Sequence, residues 1–579
     1  MSIYLISLIA LVLAGTNQQV CAEDVPFSPC PLLGPRFPLV KNISSSQIIQ
    51  SGLVNLTEAL DEYVSTLNGT YGPTSATLSY SIALFSTEDN DSSSPMFYEY
   101  HHMSDTFTND TSKQVDKNTV YPIGDLTTLF TTWLFLIEAG EEHWSDSVSK
   151  WVPELMAVAQ NISTSSTVVA WKDVTLGDLA AHLGGIGRYN PSDTHRSLDL
   201  ILTQIKNVTE ASPCQGDPNT CERETFLSSF GRQHPIFAPG TTPIFSNAGF
   251  IILAYALESI KGRSYHSLLR EAILEPLNLN KTSYLSLPTT NNTVVPDQDM
   301  RVLLESIDGP FSGLYSSVHD VSRALSAVLS SKLLPSAATR RWLKPTSHTS
   351  NLKNSVGRPW EIFSLTQTPI SPVIPVYQVR GNIDRYASHV GLVPDYNVGF
   401  VILAADVENS PDLNAYADII AEEMIPALEQ NAIVQASMAF SGTYYAELGN
   451  TSLSIAAAQD STPGLSVKSF AMGETDVRAV YAELNRIEPE NLSFRLYPTD
   501  IVSETARGKR MAFRASFQDV TALADAGTPT CETWRYIDEL QVNGIGLDKF
   551  VFDLEDDKVV SVDVPALNAR LVKQSARHE

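Results

Sequence analysis

The hydrophobic period of this chain changes once, near Ser437, and that change limits the folds open to it. From about residue 45 to 430, helical patterns alternate with short β-type runs, and turn signals separate them. "IIQSGLVNLTEALDEYVSTL" repeats apolar residues at helical spacing, and "TLSYSIALFS" has the composition of a strand. Leu126, Leu129, Phe130, Trp133, Leu134 and Ile137 line a helix that ends near Gly140. "HVGLVPDYNVGFVILAA" reads as two strands around a Pro-Asp turn, and "DLNAYADIIAEEMIPALEQ" as a last helix. Beyond Ser437 come short alternating segments such as "SGTYYAEL", "LSVKSFAM" and "KRMAFRASF", then "KFVFDLEDDKVVSVDV" with an acidic turn between strands. The expectation is an α/β (α+β) domain over 23–436, followed by an antiparallel β-rich domain over 437–579, built as a meander or small barrel.

Charge narrows the partners. Lys and Arg number 39 against 65 acidic residues, a formal net charge of −26, and such a field repels nucleic acid and anionic membrane surfaces. Residues 1–22 carry an apolar run from Ile3 to Ala14 and end in Val20, Cys21 and Ala22, which suits signal-peptidase cleavage before Glu23. That run is shorter than the ~20 residues that span a bilayer, so secretion without a membrane anchor is expected. Sequons at Asn42, Asn55, Asn68, Asn90, Asn109, Asn161, Asn207, Asn280, Asn291, Asn450 and Asn491 fit a glycoprotein of the eukaryotic secretory pathway. Cys214 and Cys221 bracket the turn-rich "CQGDPNTC", and a local disulfide is the first choice there. Cys30 and Cys531 remain; their pairing would tie the two ends of the chain together, and sequence leaves it open.

"YPIGDLTTLFTTW" at 121–133 opens a longer series: "WVPEL" at 151–155, "VTLGDLAAHLGGI" at 174–186, "FAPGTTPIFSNAGF" at 237–250, "GLYSSVHDVSRAL" at 313–325, then "RRWLKP", "GRPWEIF" and "YQVRGNIDRYASHVGLVPDYNVGF". In this order the landmarks resemble those of fungal secreted proteins of the serine β-lactamase and penicillin-binding-protein superfamily, and the resemblance covers most of the mature chain. It implies a β-lactamase/DD-peptidase-like domain. It also implies a site built on a serine and a lysine in an SxxK motif at the head of a buried helix, with a tyrosine of YxN and a KxG strand beside them.

Each of those positions departs here. The serine position falls on Asp125, the lysine position on Thr128 and the YxN tyrosine on Phe245, leaving Ser246 and Asn247; the KxG strand reads Val379, Arg380, Gly381. "SVSK" at 147–150 and "SNLK" at 350–353 satisfy SxxK on paper, but they match loops of the family rather than its catalytic helix.

Asp125 has two readings. It is a good N-cap for the helix that follows. It is equally a carboxylate at the nucleophile's address, where it could serve as a general base, or as an acid if its pocket raises its pKa; amide hydrogen bonds would lower that pKa, which favours the base role. Thr128, Phe245, Asn247, Arg380 and Gly381 are the candidate ligand contacts; the apolar replacements at 245 and 379 predict a drier pocket for a hydrophobic small molecule, and Asn247 is suited to orient a carbonyl. His182 is expected to be structural. His389 and the His101-His102 pair show no metal-ligand spacing, so no metal and no cofactor are expected.

The resemblance then implies a repurposed non-hydrolytic catalyst of cyclase or isomerase type, acting on a small natural product in a fungal secondary-metabolite pathway. An inert ligand-binding relative and a hydrolase or acyl transferase with a displaced nucleophile stay open beside it, and the oligomeric state is not set by the sequence.

Overall fold

The computed structural model describes residues 27–38, 40–88, 94–107, 114–159, 168–189, 223–285, 293–294, 309–366, 372–447, 450–457, 462–522 and 531–574. Cys214 and Cys221 lie outside the described residues, as do Asn90, Asn109, Asn161, Asn207 and Asn291. By internal packing the chain divides into two compact units: 39–365 with 374–431, and 1–38 with 366–373 and 432–579.

The first unit is mixed α/β. Helix α1 (Gln47–Thr66) buries Ile49, Leu53, Leu56, Leu60 and Tyr63 on one face, the stripe its sequence spacing predicts. Strands β1 (Leu78–Ser86) and β2 (Met96–His102) pair antiparallel. Helix α2 (Thr127–Glu138) follows, with all of Thr127–Leu136 buried. Helices α3 (Ala248–Lys261) and α4 (Val318–Leu329) come next. Strands β3 (Ser347–His348), β4 (Asn354–Val356), β5 (Glu361–Leu365), β6 (Ile374–Ile383), β7 (Tyr386–Val393) and β8 (Val398–Asp406) complete one antiparallel sheet in the order β2-β1-β8-β7-β6-β5-β4-β3. The last helix, α5 (Asn414–Phe440), continues through Pro426 well past the segment its sequence pattern marks. The sites of Asn42, Asn55, Asn68 and Asn280 are exposed in this unit.

A helix as apolar as α2 on every side belongs in a core, and its threonines are the test of that placement. Each of their hydroxyls is satisfied: Thr128 Oγ1 donates to the Asp125 carbonyl at 2.7 Å, Thr132 Oγ1 to the Thr128 carbonyl at 2.9 Å, and Thr131 Oγ1 meets the Tyr265 hydroxyl at 2.7 Å. Thr127 Oγ1 accepts from the Leu314 amide at 3.3 Å. Backbone-directed hydroxyls make these four residues compatible with full burial.

The second unit holds a closed antiparallel barrel. Strands β9 (Gly442–Ala446), β10 (Thr451–Ala457), β11 (Leu465–Met472), β12 (Leu492–Thr505), β13 (Gly508–Asp519), β14 (Lys549–Glu555), β15 (Lys558–Val564) and β16 (Ala569–Lys573) run β10-β9-β16-β15-β14-β13-β12-β11, and β11 pairs back onto β10. Period-2 burial, as in Phe550, Phe552 and Leu554, fills the barrel with rings: Phe440, Tyr444, Phe513 and Phe552 form one cluster of edge-to-face and tilted pairs, and Phe494, Phe517, Phe550 and Tyr481 another. Asn450 is exposed and Asn491 half-buried. A Cys30–Cys531 disulfide joins the segment 27–38 to this unit, spanning 501 positions of sequence.

Candidate active site

The chain enters α2 through a short 3₁₀ turn, Gly124–Leu126, so the helix proper starts at Thr127 and its N-cap position is Leu126. Asp125 therefore does not cap the helix; its carboxylate accepts the backbone N–H of Asn382 in β6 instead. Two glycines make that approach possible. A Cβ on Gly381 would lie 2.3 Å from the Ile123 carbonyl and 2.7 Å from the Leu126 amide, and one on Gly124 (φ +53°) would lie 3.0 Å from the Asn382 backbone. Ser388 Oγ of β7 fastens the same junction by donating to the Ile123 carbonyl at 2.8 Å.

The junction forms the floor of a cavity of about 250 Å³, walled by Arg188, Phe245, Glu361, Arg380, His389 and the 411–414 stretch that leads into α5. Arg188 lies over the Phe245 ring, its guanidinium carbon 4.6 Å from the centroid, and His182 stacks on the same ring at 5.1 Å. Arg380 is held from across the sheet by Glu361, with Nε at 3.0 Å and Nη2 at 2.5 Å from one carboxylate oxygen. His389 Nε2 meets Gln378 Oε1 at 2.9 Å; burial and then the Arg380 charge push its pKa down to about 3, so it is neutral. Burial likewise, with the Arg188 charge second, holds His182 down at about 4.

Burial has the opposite effect on the acid. It drives the Asp125 pKa up to about 7, against the downward pull of Arg188 and of the Asn382 amide. The expectation that amide bonds would keep this carboxylate low is therefore corrected: one amide does not offset desolvation. Asp125 exchanges its proton in the neutral range, where both acid and base roles are open to it.

The structure gathers Asp125, Phe245, Arg380 and Gly381 around one cavity and removes two candidates from it. Thr128 spends its hydroxyl on the Asp125 carbonyl. Asn247 is buried at the start of α3 and does not line the cavity; its Oδ1 accepts from the Ala248 and Tyr189 amides at 3.0 and 2.9 Å and its Nδ2 donates to the Tyr189 carbonyl at 2.6 Å. The expected drier pocket holds in part: Val379 packs into the core instead of the cavity, and the walls mix Phe245, Pro411 and Leu413 with the charged Arg188, Glu361, Arg380 and Asp412. "SVSK" is the cap of a four-residue helix whose Lys150 pairs with Asp146 at 2.9 Å, and "SNLK" lies in the turn between β3 and β4.

Sequence reasoning missed Arg188 and Glu361. Arg188 stands two residues after the "VTLGDLAAHLGGI" landmark, a signal that was available; Glu361 lies within the "GRPWEIF" landmark, but its role becomes visible only in register, where it pairs with Gln378 and Arg380 is its diagonal neighbour.

A model of the β-lactamase family matches residues 94–424, more than half of the chain and every residue that lines this cavity. The chain belongs to the β-lactamase family. Residues 432–575 match a second model, the C-terminal domain of β-lactamase-like proteins. A β-lactamase-like protein of Arthroderma benhamiae is 26% identical over 94% of this chain and 96% of its own length, and a probable hydrolase of Cochliobolus lunatus is 24% identical over 82% of each. Among solved structures, the octameric penicillin-binding protein homologue of Pyrococcus abyssi aligns with 90% of this chain and 100% of its own at 15% identity and a TM-score of 0.47. The family's mixed α/β fold with a β-rich C-terminal region is the one observed.

Proposed function

We propose that this member of the family is a catalyst in which Asp125, rather than an acyl-serine, does the chemistry on a small polar molecule, by proton transfer. The observation that carries the reading is the Asp125 carboxyl on the cavity floor with a pKa of about 7. A group poised there gives up and recovers a proton at neutral pH, which is what an isomerisation or cyclisation through an enol asks of a single residue. Arg188 faces the same space with its flat guanidinium set by Phe245, placed to stabilise negative charge developing on a substrate oxygen.

Serine acylation is the weaker account of the same cavity. Among the described residues, Ser388 is the serine in its wall, its Oγ already donates to the Ile123 carbonyl, and no lysine lines the space. The kinship with probable hydrolases is a statement about ancestry and fold, and the site decides the chemistry.

Metabolite profiles of three isogenic strains of the source organism, wild type, deletion and Asp125→Asn expressed at normal level, test the proposal. Deletion and Asp125→Asn should accumulate the same precursor. A normal profile in Asp125→Asn would remove Asp125 from the chemistry and leave binding or a displaced nucleophile as the account.

A further inference from the structure

Away from the cavity, the segment after α1 turns back on itself in a two-stranded ribbon, Asn68–Gly69 with Gly72–Pro73, whose tip is the sequon Asn68-Gly69-Thr70. The ribbon overhangs a groove of about 160 Å³ between α1 and α5, lined by Asn68, Thr70, Tyr71, Glu62, Glu422 and Glu423 among others. Gly69 lies against the Tyr63 ring, where a Cβ would come within 3.1 Å, so the turn is seated on α1 rather than free of it. Tyr71 is partly exposed and pinned by its hydroxyl, which donates to Glu422 Oε2 at 2.8 Å.

The three glutamates have no cationic partner among the described residues, and neither the Asn68 side-chain amide nor the Thr70 hydroxyl has a hydrogen-bond partner there. Other sequons differ. Thr57 of the Asn55 sequon gives its hydroxyl to the Leu53 carbonyl and meets Tyr98, and Thr282 of the Asn280 sequon is buried against Ser316 and Asp320. The groove thus offers carboxylate acceptors and an aromatic ring beside an asparagine whose side chain is unspent. An anion would be repelled by it. A neutral, donor-rich ring suits it: sugar hydroxyls and an acetamide N–H can donate to the glutamates while the apolar ring face lies on Tyr71.

We propose that Asn68 carries an N-linked glycan and that its first N-acetylglucosamine seats in this groove, bracing α1 against α5. The bond forms from Asn68 Nδ2 to C1 of the sugar of a lipid-pyrophosphate-linked oligosaccharide; Nδ2 loses one proton, the C1–O bond to phosphate breaks, and the lipid pyrophosphate leaves. The sugar replaces water over the glutamates and ties together two helices that are far apart in sequence.

The test uses the full chain made in a eukaryotic secretory host. Glycopeptide mass spectrometry should find Asn68 occupied, and thermal unfolding should show protein trimmed by an endoglycosidase to a single N-acetylglucosamine as stable as the untrimmed form. Thr70→Ala, which removes the sequon without touching Asn68, should lower Tm by about 2 °C or more, while Thr70→Ser keeps both glycan and Tm. Asn450→Gln, at an exposed sequon of the other unit, should leave Tm unchanged. An unmodified Asn68 in a chain glycosylated elsewhere would overturn the proposal. So would equal Tm for Thr70→Ala and Thr70→Ser, or a loss of stability on trimming to the single sugar.

Discussion

The proton on Asp125 links the site's chemistry to its stability. Unfolded, the carboxyl ionises with a pKa near 3.8; folded, it holds its proton up to about 7. Between those values the folded state binds more protons than the unfolded one, so this residue's contribution to stability falls as pH rises and reaches its full cost above 7. Asp125→Asn should thus equal wild type in thermal unfolding at pH 4 and exceed it at pH 8, by on the order of a few kcal/mol. A constant difference across that range would show that the carboxyl ionises normally. The same titration belongs in the rate: a limb near pH 7 in the wild-type pH–rate profile should follow this group. Residues of this site were only half legible from sequence. Asp125's address could be read from the landmark around it, whereas its pKa depends first on burial and then on Arg188, Asn382 and Glu361, which come from three other segments. Thr128 and Asn247 look available in sequence because nothing there reveals that nearby backbone consumes their polar atoms.

At the scale of elements, the decisive contact is β6 laid against the 3₁₀ turn at the head of α2. Gly381→Ala would drive a methyl into the Ile123 carbonyl and push the strand off the turn, at a cost of about 1–3 kcal/mol. It should also draw the Asn382 amide away from Asp125 and raise that carboxyl's pKa further, read as a shift of the acid limb to higher pH. A Tm equal to wild type would show that the junction is looser than its geometry. The elements themselves follow their patterns well: α1, β1, and the β7/β8 pair sit where apolar period and turn residues place them. The end of α5 does not: the sequence pattern carries the helix through the exposed Pro426 and stops near Gln430, whereas the helix continues to Phe440. A proline tolerated in a helix is a tertiary outcome that local propensity opposes.

For the whole molecule, the barrel unit draws on residues 27–38 and 366–373 as well as on 432–579, a composition no periodicity announces. The Cys30–Cys531 bond closes that unit covalently. Replacing Cys531 with serine should lower its stability by about 2–5 kcal/mol, measured as an earlier transition in denaturant, with the cavity unit's own transition unmoved. Coincident shifts of both transitions would mean that the two units unfold as one. The order of synthesis gives the bond another significance. The ribosome releases Cys30 first and Cys531 some five hundred residues later, so the unit holding residues 39–365 and 374–431 has its whole sequence in hand before the barrel can be sealed. Through that interval Cys30 is a thiol without its partner, open to capture by a thiol reagent, and a chain cut short before residue 531 keeps that mark.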